Sequence, residues 1–159
     1  MAKRQIFYSF HFDNDVMRVQ QIRNMGVVEG NAAIAPNTWE EVKRKGTASI
    51  EKWIDDNMNY RSCVVVLIGT ETHKREWVKY EIQKAWRDGK GLLGVHIHNL
   101  NCPNNETCSK GTNPFEQFEF TQGGKVVVPK VYDPASNDAY NAISTNLSTW
   151  VETAISQRA

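Results

Sequence analysis

The sequence predicts one α/β domain over residues 1–159, built on a central, mostly parallel sheet of about five strands with helices on both faces. Three observations carry this. Short apolar runs alternate along the chain with longer stretches of helical periodicity. The strongest run, Cys63–Ile68 (CVVVLI), is unbroken rather than alternating, as expected of a parallel strand buried on both faces. A chain of 159 residues suffices for one substantial core and is short for two ordinary domains.

Residues 5–10 (QIFYSF) read as the first strand. Asp13 then offers an N-cap to a helix carrying Val16, Val19, Gln20 and Ile22, which Gly26 ends. Residues 31–35 (NAAIA) are a further strand candidate, closed by Pro36 and Asn37. A helical pattern from residue 38 to about residue 60 is interrupted at Gly46, with Ile50, Trp53, Ile54 and Met58 as its apolar stripe. After CVVVLI and Gly69, a helix from about residue 74 to residue 88 stops at Gly89. Residues 91–98 (GLLGVHIH) form the next strand. Residues 99–124, rich in Pro, Gly and Asn, read as a long loop of the kind that is usually functional or mobile. Residues 125–132 (KVVVPKVY) read as a last strand, placed at an edge by Pro129, and a helix over residues 137–156 completes the domain. This is the flavodoxin-like arrangement, in which ligands bind outside the carboxyl ends of the strands. Here those ends are residues 9–11, Gly69-Thr70 and residues 96–99.

Composition narrows the function. The 40% apolar and 23% charged residues are those of a globular protein. A net charge of +1 gives no long-range field to recruit nucleic acid or an anionic membrane, and a small, partly charged ligand fits better. No stretch reads as a signal peptide or membrane span, so the expected location is the cytoplasm. Three cysteines make a disulfide framework improbable, and Cys63 packs as a small hydrophobe. There is no G-x-G-x-x-G after the first strand and no P-loop, so neither nucleotide motif is supported. A phosphorylated receiver domain would need acidic residues where the chain has Ser9-Phe10-His11 and an aspartate where it has Gly69-Thr70.

Glu81 shares a helical sector with Trp77, Val78, Ile82, Ala85 and Trp86, and a carboxylate among core-facing residues needs a partner. It is either a boundary glutamate paired with Lys84 one turn on, or a functional acid. His96 and His98 share one strand face at the carboxyl end, where a neutral imidazole can move protons near pH 7. His96, His98, Cys102 and Cys108 also admit a zinc reading, which the wide Cys102 to Cys108 spacing disfavours.

Several strings together resemble the TIR-like domains that serve as the signalling component of the bacterial Thoeris anti-phage system. They are Phe7-Tyr8-Ser9-Phe10-His11 with Arg23-Asn24, Thr38-Trp39-Glu40-Glu41, Val66-Leu67-Ile68-Gly69, Trp77-Val78-Lys79-Tyr80-Glu81-Ile82, Gly94-Val95-His96-Ile97-His98, and Lys110-Gly111-Thr112-Asn113-Pro114-Phe115. The W-x-x-x-E string is shared with enzymatic TIR domains generally. The resemblance implies an enzyme that breaks the nicotinamide–ribose bond of NAD, with Glu81 and His96 catalytic and Ser9, Phe10, His11, Trp39 and Trp77 around the substrate. It implies NAD as substrate with no separate cofactor or metal. The product would be an ADP-ribose derivative, cyclic by preference, that activates a separate effector after a phage-derived trigger. Two other readings stay open. One is a non-catalytic TIR module that assembles as a homo-oligomer. The other is a different N-glycosidic enzyme, such as a nucleoside deoxyribosyltransferase, which the surroundings of Glu81 and Ser9 disfavour.

Overall fold

The computed structural model describes residues 4–28, 42, 44–100, 110–135 and 137–158. Four strands, β1 (Ile6–Ser9), β2 (Cys63–Ile68), β3 (Gly91–His96) and β6 (Lys130–Tyr132), form a parallel sheet in the order β1-β2-β3-β6. A short antiparallel pair, β4 (Thr121–Gln122) and β5 (Lys125–Val126), lies outside it. Every residue of β2 and β3 is buried, which is why both read as unbroken apolar runs.

Helices cover both faces. The odd-numbered side chains of β2, with Ile6, Tyr8, Leu93 and Val95, pack under α1 (Phe12–Asn24) and α4 (Ala139–Arg158) through Val19, Ile22, Ile143, Leu147 and Val151. On the other face Phe7, Val64, Val66, Ile68 and Leu92 meet α2 (Thr47–Met58) and α3 (Glu76–Arg87) through Ile54, Met58, Val78, Ile82 and Ala85. The period of two along the strands thus assigns each residue to one of two cores. Among the described residues no helix is long and apolar enough to cross a membrane.

The departures from the sequence reading have local causes. The expected sheet of about five strands has four among the described residues, and the candidate strand at 31–35 lies outside them. Helix α1 begins at Phe12 with His11 at its N-cap, so Asp13 is inside the first turn. The single strand expected over 125–132 is two: β5 pairs back on β4 across Gly123-Gly124, and β6 joins the sheet only after Pro129, which has no N–H for a ladder. As expected, β6 is an edge strand.

The described part of the loop expected at 99–124 is no open loop. A 3-10 turn, Pro114–Gln117, opens with Asn113 Oδ1 accepting from the Phe115 N–H at 2.9 Å. Phe115 and Phe120 then bury themselves on the α3 face, with Trp86 edge-on to Phe120 at 4.9 Å. Phe115 finds room because residue 94 is glycine: a Cβ there would stand 3.3 Å from the Phe115 ring and 2.9 Å from Ile68 Cδ1.

Candidate active site

The periodicity that buries Val78, Ile82 and Ala85 carries Glu81 inward with them, leaving it 7% exposed. A carboxyl so placed must find a hydrogen bond and shed its charge, or cost several kcal/mol. Ser9, the last residue of β1 and fully buried, provides the bond: its Oγ donates to Glu81 Oε1 at 2.6 Å. Burial pushes the Glu81 pKa up to about 8, opposed by the Ser9 hydroxyl, so the acid is mostly protonated at neutral pH. Lys84, the alternative partner, points elsewhere, to Asp88 at 2.7 Å and Asp55 at 3.7 Å.

His96 ends β3 on the same sheet face. The register aligns Ser9 with Val66 and Val66 with Gly94, and His96 lies two residues beyond Gly94, beside Ile68. It therefore stands about two strand spacings (~10 Å) across the sheet from Ser9 and one pleat repeat (~7 Å) further toward the carboxyl rim. It is 5% exposed, and its Nδ1 has no hydrogen-bond partner among the described residues. Burial lowers its pKa, with Asp133 opposing, which leaves a neutral imidazole near pH 7. His98 lies past the end of the strand, its ring edge-on to His96 at 5.8 Å.

Beside His96 opens a cleft of about 470 Å³, walled by Lys110, Gly111, Thr112, Asn113, Val131 and Asp133 among others. Lys110 Nζ lies 2.7 Å from Asp133 Oδ2, and this hydrogen bond holds the Asp133 carboxyl below its ordinary range. The wall at Gly111 runs so close to the end of β2 that a Cβ would collide with the Gly69 carbonyl oxygen. The turn there is fixed from within, as the Gly69 N–H donates to the buried Thr72 Oγ1 at 2.8 Å.

The structure thus joins Ser9 to Glu81 and places His96 on the same face, two strands away. Trp77, one turn before Glu81, is half-buried and edge-on to Tyr80 at 5.6 Å. Phe10 packs against the opposite core, with α1 and α4, and His11 is the half-buried N-cap of α1. Trp39, Cys102 and Cys108 lie outside the described residues. Among the described residues no three His, Cys, Asp or Glu side chains are grouped so as to hold a metal ion. Nothing in the residue pattern assigns a role to Lys110, Asp133 or Phe115. Three phenylalanines within residues 115–120 were the signal for the packed strap, whereas nothing in sequence links Lys110 to Asp133.

Comparison with known proteins identifies a family and a relative. The family described as Thoeris protein ThsB, TIR-like domain, matches residues 7–102. A Bacillus cereus (strain MSX-D12) protein named "Putative cyclic ADP-D-ribose synthase ThsB1" is 34% identical over 132 residues, which cover 79% of this chain and 68% of that protein.

Proposed function

The chain belongs to the TIR-like family of Thoeris protein ThsB, and from that premise we propose that it is an NAD-cleaving signalling enzyme with Glu81 as its catalytic residue. The observation that carries the proposal is the buried Ser9–Glu81 pair at the carboxyl ends of a parallel sheet, where open α/β folds bind ligands. A carboxyl kept in an apolar setting with a raised pKa is also a marker of functional sites.

The chemistry asks little beyond placement and charge. Nicotinamide is already cationic in NAD. When its bond to the ribose breaks, the electron pair leaves with the ring nitrogen, and the sugar becomes oxocarbenium-like. Ionised Glu81 accepts hydrogen bonds from the hydroxyls of that ribose, fixing the sugar and opposing its developing charge. The cationic nicotinamide itself favours the ionised form of the acid when NAD binds. Capture by water would give ADP-ribose, and capture by an atom of the same ADP-ribose would give a cyclic isomer. The name of the Bacillus cereus relative favours the cyclic product. In this proposal the product is a messenger for a separate effector, made under a phage-derived trigger. Neutral His96, two strands away on the same face, orients the ADP-ribose for that capture.

One observation favours a second reading, an assembly module without turnover: at 7% exposure Glu81 is nearly closed to a ligand. One assay separates them. Purified protein is incubated with NAD, alone and with lysate of phage-infected cells, and products are followed by chromatography and mass spectrometry. Charge-assisted hydrogen bonds contribute about 1.5–3 kcal/mol each, so Glu81→Gln should release nicotinamide at least about 100-fold more slowly. Absence of turnover under both conditions would leave the assembly module as the reading.

A further inference from the structure

The cleft beside His96 lies apart from the Ser9–Glu81 pair, and its charged wall residues are one lysine, Lys110, and two acids, Asp133 and Glu116. Lys110 is held by Asp133 at 2.7 Å, with side chains 56% and 41% exposed. Such a solvated contact exchanges readily. His96 faces the same cleft at 5% exposure with an unpartnered Nδ1, and a buried polar atom of that kind is completed by a group the protein does not supply. Glu116, the other charged wall residue, is exposed to solvent.

We propose that this cleft is a diphosphate subsite, in which Lys110 exchanges the Asp133 carboxylate for a phosphate oxygen and His96 donates from Nδ1 to the same group. The assignment rests on the reading of the chain as an NAD-cleaving enzyme. A dinucleotide whose nicotinamide ribose sits on Glu81 must extend across the sheet to reach this cleft, and the anionic group it carries beyond that ribose is the diphosphate. The Lys110–Asp133 pair then acts as a stand-in, with Asp133 keeping the lysine at the cleft and competing with the ligand for it.

The test is calorimetric titration of the full chain with ADP, inorganic pyrophosphate and nicotinamide mononucleotide at fixed ionic strength, together with the KM for NAD. Loss of a charge-assisted phosphate contact should weaken ADP and pyrophosphate at least about 10-fold in Lys110→Ala, while nicotinamide mononucleotide, which has no diphosphate, is much less affected. Removing the competing charge should strengthen ADP roughly 3–10-fold in Asp133→Asn. Lys52→Ala, whose lysine pairs with Asp56 on the exposed side of α2, controls for net charge and should bind as wild type. No ADP binding, equal binding in Lys110→Ala, or weaker binding in Asp133→Asn would overturn the subsite. The two proposals fail separately. Lys110-dependent ADP binding without nicotinamide release from NAD would retain the subsite and sink the enzyme, whereas NAD cleavage with an unchanged KM in Lys110→Ala would retain the enzyme and sink the subsite.

Discussion

Two carboxyl groups stand at the same end of the sheet, and their surroundings push them in opposite directions. Glu81 is enclosed by α3 and β1, has a serine hydroxyl for company, and is raised to about 8 by burial. Asp133 follows β6 at an open cleft, is bonded to Lys110, and is lowered. One half of this face is a dry compartment that keeps a neutral acid, and the other is a wet one that keeps charges in pairs. Under the proposed function the difference assigns each part of the ligand: a reacting sugar gains most from a carboxylate in a low-dielectric enclosure, whereas an anion needs a cation still accessible to it.

Between the halves, on β3, the Phe115 ring occupies the room left by Gly94. Removing it is the most severe test of the division. Phe115→Ala deletes a ring 3% exposed and packed edge-on to Phe120 at 5.8 Å, and should cost about 3–5 kcal/mol. For a chain of this size that is a fall in Tm on the order of 10 °C, measurable by thermal denaturation. The turn that anchors Lys110 and Gly111 against β2 would loosen with it. A loss below about 1 kcal/mol would mean that the aromatic strap finds other contacts and that Phe115 is not the seam.

The dry half can be tested through its proton. The folded-state pKa of Glu81 near 8 exceeds its ordinary value of 4.5, so between those values the folded protein holds a proton that the unfolded chain releases. The resulting contribution to stability is full below about pH 4.5 and is lost as pH rises through 8. Glu81→Gln has no proton to lose and keeps an oxygen for the Ser9 hydroxyl. Its stability relative to wild type should therefore rise from pH 5 to pH 8.5, by a few kcal/mol, or roughly 5–10 °C in Tm. Paired melting curves at the two pH values check this. An identical offset at both would show that the carboxyl ionises normally and that the compartment is wet.

How much of this contrast could be read from the sequence depends on which residues are local to one another. CVVVLI announces a central strand because six apolar residues in a row fit little else between a helix and a glycine. Glu81 is legible for the same reason, since 3.6-residue periodicity fixes its direction whatever lies opposite. Its partner is not, because Ser9 is 72 positions away and only the register of β1 on β2 brings it beneath α3. Phe10 shows how neighbours in sequence part: adjacent to Ser9, it packs against the other core. The Lys110–Asp133 pair joins two segments with no periodicity at all, and β5 and β6 look like one strand until the pairing of β5 with β4 is known.

The finest distinction concerns Ser9 itself, which either tunes Glu81 or meets the substrate. Its hydroxyl favours the ionised acid, so Ser9→Ala should raise the Glu81 pKa further and leave less carboxylate at any given pH. One charge-assisted hydrogen bond corresponds to about one pH unit, which predicts kcat/KM roughly 10-fold below wild type at pH 7.5. If tuning is the whole effect, the rising limb of the pH–rate profile moves to higher pH and the two proteins converge on the plateau above it, because both are then fully ionised. A profile lowered by the same factor at every pH, with its limb unmoved, would instead place the Ser9 hydroxyl on the substrate. In that case enclosure alone would set the pKa of Glu81, with no lowering from the Ser9 hydroxyl to offset it.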